Sequence, residues 1–469
     1  MELDKNTDEL DMIRILFGAG VYAKKYRALL EYLCIDFDYF TDNDSSKWGT
    51  MLYGKKVISP EELKHYSKCQ IIISSTHEIA IRKQLSKLGL IQNVIGLDYL
   101  YQLCEQRMNG NAREKNVKQN EEAVLVDMYE GIGWGGSELW AADLAFGLNE
   151  TGKKTILIGG TEQVLLEKRY EKLVQRLPEK DTIKQMTEFM ESNLPFVFIN
   201  NFAGCGFMAA IILKRKYPNL VRIISVIHND NQSLFDAHMI MKKYIDKIFC
   251  VSEQIREHMW EQYDFDNHKY FFKEQPIQSD VSWSRSWNVL RPLRIGYAAR
   301  LVHQQKRADL LIYLIGSLEE KKVEYRLQVA GEGECLEKLK VYTQKNRLES
   351  KVELIGRLPK SKMDDFWQNQ DIFVNVSEYE GTSLSMLEAM SYGCVPVVTD
   401  VSGAREFITE DCGYVCQVGD IEYIAECISK LAEDREKLKK YGQNCRKIIQ
   451  NRCNPKEYIK YWKEKLLKI

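Results

Sequence analysis

The stretch from residue 371 to residue 398 limits this chain more than any other. Asp371-Ile372-Phe373-Val374-Asn375-Val376-Ser377 is an apolar run without alternation, the pattern of a parallel strand buried on both faces. Good helix formers follow from Ser383 to Tyr392, Gly393 ends them, and Val395-Pro396-Val397-Val398 opens the next apolar run. Strand, tight loop, helix, strand is the repeating unit of an open α/β sheet. Its loop is a natural anion site, because the first free amides of the helix point outward and the helix dipole favours negative charge. Gly381 has no Cβ and lets a phosphate approach the backbone, while Thr382, Ser383 and Leu384 lead into the helix.

Two carboxylates, Glu380 and Glu388, bracket this turn. A carboxylate can accept two sugar hydroxyls at once, so a phosphate cradle between two of them suits a sugar–diphosphate–ribose chain. The same letters fit a capping box, Ser385-Met386-Leu387-Glu388, with Glu380 as a solvated loop acid. Taken alone, the stretch leaves both readings open.

The spacing Glu380…Glu388 followed by Ala389-Met390, a small-residue turn and Pro396-Val397-Val398 resembles the signature of retaining GT-B glycosyltransferases of family 4. The resemblance implies that Glu380 contacts the donor sugar and Glu388 the nucleotide ribose. Thr382-Ser383 stand where that family often has Phe-Gly.

Other features of the chain fit the same picture. Arg291-Pro292 marks a junction, residues 293–299 read as a strand, and Arg300 and Lys306 leave its end six residues apart. Two cations on one loop can clamp a diphosphate, Arg as a fork and Lys as a point charge; a solvated basic loop is the plain alternative. The family carries its phosphate-binding Arg and Lys at this spacing, although Ala299 and Arg307 replace the glycines usual there. Gly331-Glu332-Gly333 is a second glycine turn after a strand, placed near the nucleotide by the resemblance.

Upstream, residues 123–129 read as a buried strand feeding Gly131-Ile132-Gly133-Trp134-Gly135-Gly136 and a helix from Ser137. The resemblance puts Gly135 and Gly136 beside donor phosphate and acceptor. Val226-Ile227-His228 sets a histidine at the end of an apolar strand, the edge where open α/β sheets bind ligands. A strand-capping role is the alternative for His228, and the family implies a place beside the reacting sugar. His238, His258 and His268 read as structural or exposed.

The first hundred residues form a separate pattern. A strand over 12–17 runs into Gly18-Ala19-Gly20-Val21-Tyr22-Ala23 and a helix, and a second strand over 35–40 ends near Asp42, 24 residues after Gly18. This is the order of a Rossmann-like nucleotide unit, with Gly18, Gly20 and Asp42 as its candidate site. Asp42-Asn43-Asp44 also spells a metal-holding D-x-D, which the glycine turn makes unnecessary. Residues 12–100 resemble the amino-terminal domain of nucleotide-sugar-modifying enzymes such as sugar acetyltransferases. A nucleotide site, a protein-interaction module and an unused scaffold all stay open for it.

Lys plus Arg number 66 against 67 for Asp plus Glu, a net charge of −1, which argues against a nucleic-acid partner. No apolar run approaches the roughly 18 residues of a membrane span, and the acidic stretch Met1-Glu2-Leu3-Asp4 lacks a signal-peptide pattern. Twelve cysteines sit mostly in apolar stretches, and Cys412-x3-Cys416 lacks a partner pair for zinc. These features suit a cytoplasmic protein without a metal. The run Ile211-Ile212-Leu213-Lys214-Arg215-Lys216 either touches an anionic membrane face peripherally or ends an ordinary helix in solvent.

The expected architecture is α/β throughout: a Rossmann-like domain over 1–104, a linker over 105–122, and a GT-B double Rossmann-like pair over 123–290 (acceptor side) and 291–469 (donor side). The resemblance implies a retaining hexosyltransferase. It would need no cofactor, move a sugar from a nucleotide sugar to a glycan or lipid-linked acceptor, and serve surface polysaccharide synthesis. The alternatives are a nucleotide-sugar epimerase of the same fold and a non-catalytic nucleotide-sugar-binding partner.

Overall fold

The computed structural model describes residues 12–66, 68–75, 77–109, 121–129, 135–160, 167–263, 266–278, 285, 287 and 291–468. Its residues fall into two compact units, one of residues 1–165, 169–225 and 232–246, the other of 166–168, 226–231 and 247–469.

The first unit holds two sets of strands. One is a six-stranded sheet of β1 (Ile13–Phe17), β2 (Tyr39–Thr41), β3 (Met51–Leu52), β4 (Lys55–Ile58), β5 (Cys69–Ile73) and β6 (Val94–Ile95), ordered β3-β4-β2-β1-β5-β6. The other contains β7 (Ala123–Asp127), β8 (Thr155–Gly160), β9 (Val174–Leu177), β10 (Phe196–Asn200) and β11 (Val221–Ile227, its residues 221–225 in this unit), which run β11-β10-β7-β8-β9. β7 and β10 are buried at every residue, as unbroken apolar runs in a parallel sheet require.

In the second unit β12 (Lys247–Cys250) pairs in parallel with β13 (Tyr270–Phe272). A six-stranded parallel sheet follows, made of β14 (Leu293–Ala298), β15 (Tyr325–Ala330), β16 (Val352–Gly356), β17 (Ile372–Asn375), β18 (Val395–Thr399) and β19 (Tyr414–Cys416), ordered β16-β15-β14-β17-β18-β19. The order reverses between β14 and β17, so the loops leaving those two strands meet at the carboxyl edge. That is the switch point where open α/β sheets place their ligands. Phe249 of β12 stacks on Trp462, ring centroids 4.8 Å apart, which docks the last helical segment.

Several expectations need correction. The first sheet is not wholly parallel, since β3 and β4 pair antiparallel, Met51 opposite Lys56. β2 is shorter than the strand read over 35–40. Towards the end of the chain stand two successive helices, Ile421–Glu433 and Arg435–Arg452. Asp434 ends the first and caps the second by accepting from the Lys437 amide at 2.9 Å. Helix Leu97–Asn109 continues into the stretch read as a linker, and its Glu105 pairs with Arg215 at 3.0 Å. The neighbouring cations are also engaged, Lys214 with Asp246 and Lys216 with Glu191 at 3.1 Å. The basic end of helix Cys205–Lys216 is therefore an ion-paired seam. Cys34 is exposed; the other eleven cysteines are buried, and all twelve are free thiols. No helix among the described residues is long and apolar enough to cross a membrane.

Candidate active site

The loop after β17 carries Glu380 into a nearly closed position, 4% exposed. Its Oε1 accepts from the Lys306 ammonium at 2.5 Å. The Ser377 hydroxyl lies 2.7 Å from the same oxygen and 2.6 Å from Asn375 Oδ1, with one proton for two acceptors. Lys306 arrives from the loop after β14, so the two loops of the switch point are joined by a largely buried ion pair. A carboxylate in such surroundings needs a cation or hydrogen-bond donors to stay charged, and here it has both.

The same two loops meet the loop after β11. Arg300 is exposed, and its guanidinium donates to Gln305 Oε1 at 2.9 Å. Gln305 Nε2 donates in turn to Asn229 Oδ1 at 3.1 Å. Next to Asn229 is His228, half-buried, whose imidazole is pushed down to about 3 by desolvation. It is neutral at physiological pH and can donate or accept a hydrogen bond without adding charge. The Asp230 amide donates to the Glu380 carbonyl at 3.0 Å. Asp230 itself takes His258 Nδ1 at 2.9 Å and the Ser402 hydroxyl. Gly381 is where the loops touch: a Cβ there would collide with the His228 carbonyl oxygen and sit 2.7 Å from Val251 Cγ2. Close approach to protein backbone therefore already accounts for this glycine.

Ser383 caps helix Leu384–Ser391, its hydroxyl accepting from the Met386 amide at 3.3 Å. The cap falls two residues before the Ser385 of the expected capping box, and Glu388 is left to pair with Lys360 instead. Thr382 donates to the Val251 carbonyl at 2.8 Å, which fixes the loop from its far side. Leu384 is half-buried at the first helical position.

Gly331 has a positive φ of 157°, and a Cβ on it would strike the Ala299 carbonyl, so packing of the glycine turn on the start of the Arg300 loop explains it. Gly135 and Gly136 belong to the first unit and open helix Gly136–Glu150; Gly131 and Gly133 lie outside the described residues. In the first sheet Gly18 has φ 118° with Ser74 O 2.7 Å from where its Cβ would be. Gly20 is the N-cap of helix Val21–Leu33. Asp42 turns its carboxylate onto the glycine turn, accepting from the Ala19 amide at 2.7 Å and from Lys47 at 3.1 Å. Asp44 of the expected D-x-D caps a short turn through the Ser46 amide at 3.0 Å.

Ser377, Asn229 and Gln305 escaped the sequence reading. Polar uncharged residues carry no spacing signature, and only adjacency to Glu380, His228 and Lys306 could have drawn attention to them. His258 was read as partnerless because Asp230 is 28 positions away.

Residues 284–448 match the family described as glycosyl transferases group 1. The matched segment lies within the second unit. It contains Arg300, Lys306, Glu380 and Glu388. Residues 12–95 match a second family, C2185-like, N-terminal. Among curated proteins, the chain is 26% identical over 233 residues to poly(glycerol-phosphate) alpha-glucosyltransferase of Bacillus subtilis, covering 46% of this chain and 32% of that one. It is 25% identical over 251 residues to poly(ribitol-phosphate) alpha-N-acetylglucosaminyltransferase of Staphylococcus aureus, covering 51% and 49%. The chain thus spans between a third and a half of these relatives. Among solved structures it is similar to HepE of Anabaena in complex with UDP and glucose, with TM-score 0.63 and 15% identity over 74% of this chain and 100% of that one. TarM of S. aureus in complex with Fondaparinux, alpha-GlcNAc-glycerol and UDP follows with TM-score 0.52 and 20% identity, covering 60% and 58%. Over these spans the chain shares its GT-B fold with these solved structures.

Proposed function

We propose that this chain is a retaining glycosyltransferase that moves a hexose-type sugar from a nucleoside-diphosphate sugar to a hydroxyl of a surface glycan or polyol-phosphate polymer. The observation that carries the reading is the joining of Lys306, Glu380 and Ser377 at the switch point, with Arg300 and His228 on the adjoining loops. The donor's diphosphate would lie against Arg300, Lys306 and the first amides of helix Leu384–Ser391. Its sugar would face Glu380 and the neutral His228, and its ribose Glu388. The similarity to poly(glycerol-phosphate) and poly(ribitol-phosphate) glycosyltransferases supports a sugar transfer onto such a polymer, and the UDP in the solved HepE and TarM complexes supports a uridine nucleotide.

In the reaction, the bond between the anomeric carbon and the diphosphate oxygen breaks, and its electron pair leaves with the diphosphate. Arg300, Lys306 and the helix amides stabilise the charge gained there. The acceptor oxygen forms its bond on the same face, and its proton passes to the departing phosphate oxygen. A carboxylate and an uncharged imidazole suit the sugar side, because positive charge grows on the anomeric carbon as the leaving group departs. A second cation beside it would oppose that step.

The test is UDP release from UDP-glucose and UDP-N-acetylglucosamine, with and without a polyol-phosphate acceptor, and NMR of the product's anomeric proton. Acceptor-dependent release with α retained supports the reading. A changed nucleotide sugar formed without acceptor, or binding with no turnover under any acceptor, would end it. Glu380→Gln should lower kcat by about a hundredfold or more while UDP affinity stays within a few-fold, since the amide keeps the shape and loses the charge.

A further inference from the structure

Gln305 occupies an unfavourable backbone position. Its φ is +70°, in the left-handed region that glycine enters without a steric penalty and a Cβ-bearing residue does not. A side chain retained at such a position is one that is used. This one is half-buried and spans two loops, accepting from Arg300 Nη2 at 2.9 Å and donating to Asn229 Oδ1 at 3.1 Å. Its main-chain carbonyl accepts from the Glu378 amide at 2.8 Å, two residues before Glu380. No carboxylate pairs with Arg300 among the described residues, so Gln305 is what holds that guanidinium in place.

We infer that Gln305 is a positioning residue: its amide, itself held by Asn229, presents Arg300 to the donor's diphosphate. The inference rests on the proposed glycosyl-transfer reading. An amide suits the task because it offers an acceptor to Arg300 and a donor to Asn229 without charge. A carboxylate would neutralise the cation that the diphosphate needs. A long arginine left untethered on an exposed loop would have to lose its rotamer freedom on binding, which weakens affinity.

The experiment is calorimetry with UDP on the full chain, comparing wild type, Gln305→Gly, Gln305→Leu, Arg300→Ala and Gln305→Leu combined with Arg300→Ala. Gln305→Gly relieves the backbone and should fold at least as stably as wild type, so a loss in this variant is not a folding defect. The expected result is a Kd for UDP about fivefold weaker in both single Gln305 variants, the scale of one hydrogen bond to a charged group acting indirectly. No further loss is expected when Gln305→Leu is added to Arg300→Ala. A mere loop staple would lose the same factor in both backgrounds, and that outcome overturns the inference, as does UDP binding unchanged in the Gly and Leu variants. Wild-type chain that binds no nucleoside diphosphate would instead remove the functional reading, and this inference with it.

Discussion

Glu380 is engaged before any substrate arrives. Its carboxylate shares Lys306 and Ser377, while in the proposed complex Lys306 faces phosphate and Glu380 faces sugar hydroxyls. The diphosphate would draw the ammonium away and leave the carboxylate free to accept from the sugar, so the two halves of the donor should bind cooperatively. Free glucose is expected to bind at least about fivefold more tightly when UDP is present, a coupling within the usual range for linked sites; equal affinities in competition calorimetry would contradict it. His228 gives a second residue-scale expectation. Its folded pKa is lowered to about 3 by desolvation, against an unfolded value of about 6.5. Between those values the unfolded chain takes up a proton that the folded chain does not, so stability is fully present above pH 6.5 and falls as pH drops through the window. In His228→Asn, the fall of the urea midpoint from pH 7 to pH 4 should be shallower by the share of one proton. An unchanged slope would mean the ring is solvated in the native state.

At the scale of elements, the strand-loop-helix unit around Glu380 was legible because its signals are local: an apolar run, a glycine, a serine cap and a terminating Gly393 with φ 73°. The choice between capping registers was not. Ser383 and Ser385 are equally good caps in sequence, and the Thr382 bond to the Val251 carbonyl, 131 residues away, fixes the earlier start. Helix Glu253–Gln262 shows a similar long-range control. The Ser252 hydroxyl caps it by accepting from the Ile255 amide, and the Glu253 amide donates to Glu406 Oε1 at 2.6 Å. Burial raises the Glu406 carboxyl to about 7, and its Oε2 is buried without a partner among the described residues. A carboxyl whose folded pKa exceeds its unfolded value stabilises the fold at low pH and loses that contribution as pH rises through 7. Glu406→Gln keeps an acceptor for the Glu253 amide and carries no charge. It should stabilise the chain by about 1–3 kcal/mol at pH 8 and change it little at pH 5. Thermal midpoints at the two pH values decide it; equal gains at both would assign the effect to packing.

Over the whole molecule, the glycine-bearing strand ends of the first and third sheets read alike in sequence, and the structure separates them by what already engages them. The central strands were legible because burial on both faces demands continuous apolar runs. β9, β13 and β19 were not, being short, mostly half-exposed edge strands that pair only because a neighbour offers an edge. The candidate site was partly legible: its charged members stand at telling spacings, but the amide and hydroxyl groups that join them do not. In the first sheet the glycine turn is largely satisfied from within. Gly18 N–H donates to the Thr41 carbonyl at 2.7 Å, and Ala19 N–H to the Asp42 carboxylate that a ribose would need. At the third sheet Arg300 stands exposed and tethered to Gln305. A nucleoside diphosphate should therefore titrate the full chain with one equivalent, and Asp42→Asn should leave that affinity and stoichiometry unchanged while lowering stability by about 1 kcal/mol through the weakened Lys47 pair and turn bond. Two equivalents in calorimetry, one of them lost in Asp42→Asn, would make the first sheet a second nucleotide site.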